Sequence, residues 1–341
     1  MVRNTINSKI AKKNPLVYIL ILSYNSRKWL KKCLDSVYKT RYTNYKIILI
    51  DNASTDGSVD YVKNNYPKII IIRNKKNFGW CKANNIGIQK ALEDVPDYIV
   101  FLNADILADD ADWLTNLLEF AKNNANYKIY GCIQYEYNAE NWDMINNWTK
   151  YILFNGNKDV FFMWENLYIN SSSNSYYNEK DIINKKYLDC YFVQGAAMMV
   201  NAELFQKIGK FDETFFIFYD EIDFSRKARL IGYKTALVTA SKIKHYGSGD
   251  NFSSKKMRRR RNFYYSRNKY IFLLTDVNRS FRQMYSIIRK WIKCDFQDAV
   301  NEKNDISDIV QLIEIIISLM MKLPKIILKR YREKRLFNLY R

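Results

Sequence analysis

The sequence predicts an α/β protein built on an open, mostly parallel sheet flanked by helices, with a helical extension at its C-terminus. Three observations predict it. Short apolar runs alternate with amphipathic stretches from residue 16 to about 135. Those runs are near-continuous in Ile, Leu and Val, as in strands covered on both faces rather than one. After Gly249 the pattern turns helical and strongly basic.

The first strand is L-V-Y-I-L-I-L at 16–22. Basic residues precede it, as in a secretory leader, but the run is short and leads into S-Y-N rather than a small-residue cleavage site. Further strands are expected at 46–50, 69–72, 98–102 and about 129–135, with helices between them at 27–38, 58–65, 80–91 and 112–123. Residues 136–187 are rich in Asn, Tyr, Trp and Ser and show little periodicity, which predicts an irregular insertion beside the sheet. Regular structure resumes with a strand at 189–200, helices from about 202 and at 221–231, and a strand at 234–238. The chain divides into an arm (1–15), an α/β domain (16–250) and a basic helical extension (251–341).

Five cysteines are widely spaced and odd in number, without a C-x-x-C pair. This excludes a disulfide framework and a cysteine zinc site, and fits a reducing, cytoplasmic compartment. No run approaches the ~18–20 apolar residues that span a bilayer. The net charge of +20 is unevenly placed: from Lys255 onward 22 Lys and Arg face 8 Asp and Glu. A basic tail calls for an anionic partner, either nucleic acid or a membrane surface.

In open α/β sheets ligands bind beyond the carboxyl ends of the strands. S-Y-N (23–25) follows the first strand, D-N-A-S-T-D-G-S (51–58) the second and N-A-D (103–105) the fourth. Neither a P-loop nor a G-x-G-x-x-G is present, which excludes the common nucleotide fingerprints. Taken singly, D-N-A-S-T-D-G-S is also a plausible turn and helix cap, with Asp56 or Ser54 as the capping residue. Position along one sheet edge is what argues for a site.

These motifs, with N-F-G-W-C-K-A-N-N-I-G (77–87), L-N-A-D (102–105) and the later F-I-F-Y-D-E-I-D-F (216–224), occur in a fixed order. Together they resemble the family 2 inverting glycosyltransferases of GT-A fold, especially their rhamnosyltransferase-like branch, over roughly residues 16–275. The resemblance implies transfer of a sugar from a nucleoside-diphosphate donor, a dTDP- or UDP-sugar, to a hydroxyl of a glycan or lipid-linked glycan in cell-surface polysaccharide assembly. It implies donor contacts from Ser23, Tyr24, Asn25 and Asp51, from Asn77, Gly79, Lys82 and Asn84, and from Gly195 and Ala196, where small residues let the sugar approach the backbone. Asn103-Ala104-Asp105 stands where the family has D-x-D, so one hard carboxylate, Asp105, is left for Mn²⁺ or Mg²⁺. His245, the only histidine in the chain, stands where the family closes a metal-ligating His over the diphosphate. The segment 136–187 is the expected acceptor side.

The acids Asp220, Glu221 and Asp223 are the candidate catalytic set. Inverting transfer needs one carboxylate to take the acceptor proton. The family pattern Glu-Asp-x-Asp makes Glu221 the base by alignment. This chain reads Asp-Glu-Ile-Asp, so Asp220 stays open as the base, and Asp223 is expected to orient base or acceptor. Nucleic-acid binding leaves this acidic cluster unexplained and is not expected. A non-catalytic sugar-nucleotide-binding relative is the alternative that Asn103 and the reversed Asp-Glu leave open.

For the tail, two expectations stand. One is an interfacial helix on the inner face of the membrane, apolar side down and Lys/Arg among head groups. The other has Ile309, Leu312, Ile313, Ile316 and Ile317 packed on the catalytic domain or on a second copy in a homodimer. Pro324 is expected to kink or break the helix.

Overall fold

The computed structural model describes residues 14–137, 185–247, 254–301 and 306–340. Nearly all of the N-terminal arm and of the 136–187 insertion lies outside them, as do Ser248 and Gly249.

Four strands form the parallel part of the sheet: β1 (Val17–Ser23), β2 (Tyr45–Asp51), β3 (Ile70–Arg73) and β4 (Tyr98–Asn103), in the order β3-β2-β1-β4. Between them run α1 (Arg27–Tyr38), α2 (Ser58–Asn65) and α3 (Gly79–Leu92). Successive side chains of β1 serve opposite faces, as the pleat requires. Val17, Ile19 and Ile21 enter a core with Leu30, Leu34 and Val37 of α1. Tyr18 and Leu20 enter a second core with Cys81, Ala83 and Ile88 of α3. Burial on both faces is why these strands read as unbroken apolar runs.

The register places the site. Ser23 pairs with Asp51 and Leu22 with Asn103, so the segments after β1, β2 and β4 leave the sheet along one edge. Beyond β4 lie the two-residue β5 (Ile106–Leu107), α4 (Trp113–Asn123), β6 (Tyr127–Glu136), β7 (Tyr187–Cys190), β8 (Ala197–Asn201), α5 (Glu203–Ile208), α6 (Asp220–Leu230) and β9 (Lys234–His245). Among the described residues the sheet continues from β4 through β8, β6 and β9 to β5, and β7 pairs with β9. Its β8 is antiparallel to both neighbours.

Two expectations are corrected here. The single strand at 189–200 is two, because 191–196 leaves the ladder and carries Phe192, Gln194, Gly195 and Ala196 to a cavity wall. The strand at 234–238 runs on to His245, past an irregularity opposite Cys132 and Ile133. That extension lets β9 pair with β5, which Ile106 and Leu107 are too short to announce in sequence.

Three helices complete the chain: α7 (Lys255–Leu274), α8 (Phe281–Asn301) and α9 (Ile306–Leu339). Pro324 does not break α9. It is exposed, and so is Met320, the residue whose carbonyl the missing N–H would have met. Packing of the tail differs from the expectation that Ile309, Ile313, Ile316 and Ile317 meet the catalytic domain: these isoleucines are exposed, whereas Ile315, Ile326, Gln311 and Glu333 are buried.

Candidate active site

The chain enters α6 by a strained turn. Phe218 and Tyr219 both have a φ of 68°, a conformation that costs a side-chain-bearing residue about 1–3 kcal/mol. Asn268 of α7 holds it: its Nδ2 donates to the carbonyls of Ile217 at 2.8 Å and Phe218 at 3.0 Å. Arg267 in turn donates to Asn268 Oδ1 at 2.8 Å. The turn delivers Asp220 and Glu221 to the wall of a cavity of about 430 Å³, within the ordinary size of small-molecule sites.

Asp220 is 4% exposed and Glu221 half-buried. Burial, and then the neighbouring Glu221, hold Asp220 well above the usual carboxylate range. Burial pushes Glu221 up to about 7. The two side chains hydrogen-bond, with Asp220 keeping the proton. The pair thus combines an acid that stays neutral with a carboxylate that ionises near neutral pH, an arrangement suited to proton transfer.

A second pair lines the same cavity. Pairing of Ile106 with His245 brings the residue before β5 against the end of β9, and the Tyr246 N–H donates to the Asp105 carbonyl at 3.1 Å. His245 Nδ1 lies 3.0 Å from Gln134 Oε1. That oxygen can only accept, so Nδ1 donates, which in the neutral imidazole leaves the lone pair on Nε2. This buried Nε2 has no hydrogen-bond partner and faces Asp105 Oδ1 at 3.4 Å. Asp105 Oδ1 and an unprotonated Nε2 could together hold a divalent cation, with Gln134 fixing the imidazole from the other side. Among the described residues no third His, Cys, Asp or Glu joins them.

The rest of the wall comes from the sheet edge. Tyr24, Asn25, Asn77, Gly79, Asn103, Ala104, Gly195 and Ala196 all line the cavity. Asn52 organises this side: its Nδ2 donates to Asn77 Oδ1 at 3.1 Å and to the Gly79 carbonyl at 3.2 Å, while its Oδ1 accepts from Asn74 at 3.0 Å. Gly79 has a φ of 79°, and a Cβ there would overlap the Phe216 carbonyl oxygen. The adjacent Trp80 N–H donates to that same oxygen at 2.7 Å.

The family model for "Glycosyl transferase family 2" matches residues 18–209, more than half of the chain and the part that carries this sheet edge. The chain belongs to glycosyl transferase family 2. Among curated relatives, an uncharacterized glycosyltransferase of Haemophilus influenzae is 35% identical over 100 residues, 28% of this chain and 39% of its own length. The rhamnosyltransferase WbbL of Escherichia coli is 23% identical over 264 residues, 71% of this chain and 89% of its own. Among solved structures, the mannosyltransferase PcManGT of Pyrobaculum calidifontis, in complex with GDP-Man and Mn²⁺, superimposes with a TM-score of 0.54 at 13% identity, covering 92% of this chain and 76% of its own. That likeness establishes a GT-A type fold.

Within this family 2 framework, five of the residues expected at the site do not line the cavity. Asp51 is fully buried, and both of its carboxylate oxygens accept from the Ser54 N–H, at 3.3 and 3.2 Å. Ser23 is buried beside it. Lys82 pairs with Glu213 at 3.5 Å, and Asn84 donates to the Trp80 carbonyl at 3.0 Å within α3. Asp223 lies beneath the helix, 2.8 Å from Arg226 and 2.7 Å from Lys329. Residues that sequence reasoning passed over also build the site. Gln134, outside any motif, supports His245. Arg260 and Arg261 line the cavity, and the R-R-R-R run (258–261) was the signal for them, although it pointed to a distant anionic surface rather than to the site.

Proposed function

We propose that the protein is a metal-dependent inverting glycosyltransferase. It moves a sugar from a nucleoside-diphosphate donor, a dTDP- or UDP-sugar such as dTDP-rhamnose, to a hydroxyl of a glycan or glycolipid in cell-surface polysaccharide assembly. The observation that carries this reading is one cavity lined both by the Asp105–His245 pair and by the Asp220–Glu221 pair. Ionised Glu221 accepts the proton of the acceptor hydroxyl as its oxygen bonds to the anomeric carbon. The bond from that carbon to the diphosphate breaks on the opposite face, and the nucleoside diphosphate leaves with the electron pair. Neutral Asp220 donates its hydrogen bond to Glu221 and orients it. Asp105 and His245 Nε2 would hold Mn²⁺ or Mg²⁺, whose charge offsets that of the leaving diphosphate. Lys28, Arg260 and Arg261 add positive charge along the wall. The GDP-Man and Mn²⁺ of the Pyrobaculum enzyme support a nucleotide sugar and a divalent cation, and the similarity to WbbL supports rhamnose.

Incubation with labelled nucleotide sugars, with and without Mn²⁺, tests the reading. Glu221→Gln should bind donor and transfer nothing. Transfer at the wild-type rate by that variant would remove Glu221 as the base, and inactivity of Asp220→Asn alone would assign the role to Asp220.

Contact with the inner face of the membrane completes the proposal. On α9, Ile327, Leu328 and Tyr331 are exposed beside Lys325, Arg332, Lys334 and Arg335, a mixture suited to an anionic lipid surface. No helix of the described residues is long and apolar enough to cross a membrane. Wild type should pellet with phosphatidylglycerol vesicles at low salt and leave them at high salt. The Ile327→Glu/Tyr331→Glu variant should stay in the supernatant, and equal pelleting of the two would exclude this contact.

A further inference from the structure

A second concave space lies between α7 and α9, with a volume of about 490 Å³. Its chemistry is divided. Phe263 and Tyr264 of α7 and Ile317 and Met321 of α9 supply apolar walls, while Lys256, Arg259 and Arg260 of α7 supply cations. One carboxylate opposes these, Glu314, which lies 3.2 Å from Arg259. Gln311 fastens α9 to α7 by donating to the Arg259 carbonyl at 2.6 Å. Ile317 and Met321 remain 51% and 79% exposed, so folding alone gives no reason for their being apolar.

This groove adjoins the catalytic cavity, since Arg260 and Tyr264 line both. Arg260 also lies 5.0 Å over the Phe216 ring, in the loop that leads to Asp220. A ligand whose charged end lies at Arg260 therefore sits at the boundary between the groove and the space where the acids meet the donor. Out along α9, Ile313 and Met320 continue the exposed apolar surface.

We infer that this groove binds the lipid end of the acceptor: an apolar chain bearing a phosphate or diphosphate, the chain against Ile317, Met321 and Phe263 and the phosphate at Lys256, Arg259 and Arg260. Charge complementarity and the shared wall select this occupant. An anionic polymer has no use for the apolar walls, and a second copy of a chain carrying a net charge of +20 would be repelled by these cations. The inference rests on the glycosyl-transfer reading and extends it by giving the acceptor a class and a place.

The test is calorimetric titration of the full chain with farnesyl phosphate below its aggregation concentration, with farnesol and inorganic phosphate run separately. Farnesyl phosphate should bind at least about tenfold more tightly than either fragment. Lys256→Glu and Ile317→Glu, both at exposed positions, should each weaken it by about tenfold or more while leaving melting temperature and Mn²⁺–nucleoside diphosphate binding unchanged. Equal binding by wild type and both variants would overturn the site. So would binding to phosphatidylglycerol vesicles with none to monomeric farnesyl phosphate, which would make the groove part of a lipid-surface contact only. The underlying reading fails separately: farnesyl phosphate binding in a protein that neither binds nor turns over any nucleotide sugar would refute glycosyl transfer and leave the groove standing.

Discussion

Replacing Lys329 by Met should unfasten α9 from the catalytic helix. The Lys329 ammonium is buried among three carboxylates, 2.7 Å from Asp212, 2.7 Å from Asp223 and 3.4 Å from Glu333. Arg226 closes the cluster, 2.8 Å from Asp223 and 3.2 Å from Glu333, and donates to the Phe272 carbonyl at 2.6 Å. Burial by itself would lower the Lys329 pKa, and Asp223, Glu333 and Asp212 outweigh it and hold the group charged. Met keeps the length of the side chain and removes the charge. Removing one partner of a buried ion pair costs about 3–5 kcal/mol, because the remaining charge is left uncompensated. A chain of 341 residues unfolds with an entropy near 0.7 kcal/mol per degree, so the melting temperature should fall by about 4–7 °C. Differential scanning fluorimetry reads this directly. Adding Asp223→Asn should recover part of the loss, since it removes one of the stranded charges. A shift of under about one degree, or a double variant that loses the sum of both single losses, would refute the ionic attachment of α9. The same geometry predicts that cutting the chain after about residue 305 destabilises the catalytic domain rather than releasing an independent tail.

Other outcomes follow from the site. Glu221 has its folded pKa raised from 4.5 to about 7, so its protonated form is favoured by folding and its contribution is lost as pH rises through that window; the melting temperature of Glu221→Gln relative to wild type should therefore rise between about pH 4.5 and 7, and a flat difference would mean that Glu221 is not held in this environment. Gln134→Leu should weaken Mn²⁺ binding in the presence of nucleoside diphosphate by about 10–100-fold, because His245 loses the acceptor that orients Nε2; unchanged affinity in a Mn²⁺ titration would remove His245 as a ligand. Gly79→Ala forces a side chain into positive φ and against Phe216; it should cost about 1–3 kcal/mol of stability and lower donor affinity, and full donor binding at an unchanged melting temperature would contradict the loop geometry.

Much of the framework was legible because it depends on local pattern. The runs at 16–22 and 98–102 are apolar on both faces, and only a sheet covered on both sides accepts them. The segments at 23–25, 51–58 and 103–105 follow those strands, and parallel pairing necessarily carries them to one edge. Legibility failed where one residue type has two physical uses. Asp51 stands in a motif that suits a ligand, yet in the structure it accepts from the Ser54 N–H; Asp56 serves the turn, as its reading as a capping residue has it, accepting from the N–H groups of Arg27 at 2.8 Å and Ser58 at 3.1 Å. Asp223 read as a third acid at the site, but three residues after Asp220 the helix has carried it to the buried side, where it meets Lys329, 106 residues further on.

By itself, then, the sequence determined the alternation of strands and helices, the edge at which the segments after the strands gather and the acidic turn at residues 219–223, because each follows from periodicity or from a short motif. Tertiary structure alone decided which polar groups face the cavity. Asp105 and His245 meet only through the β5–β9 register, Gln134 reaches His245 only from β6, and Asn268 holds the acidic turn from a helix some fifty residues later. A hydrogen bond or an ion pair depends on approach to within about 3 Å, and between residues far apart in the chain that distance is set by packing, which no local pattern encodes.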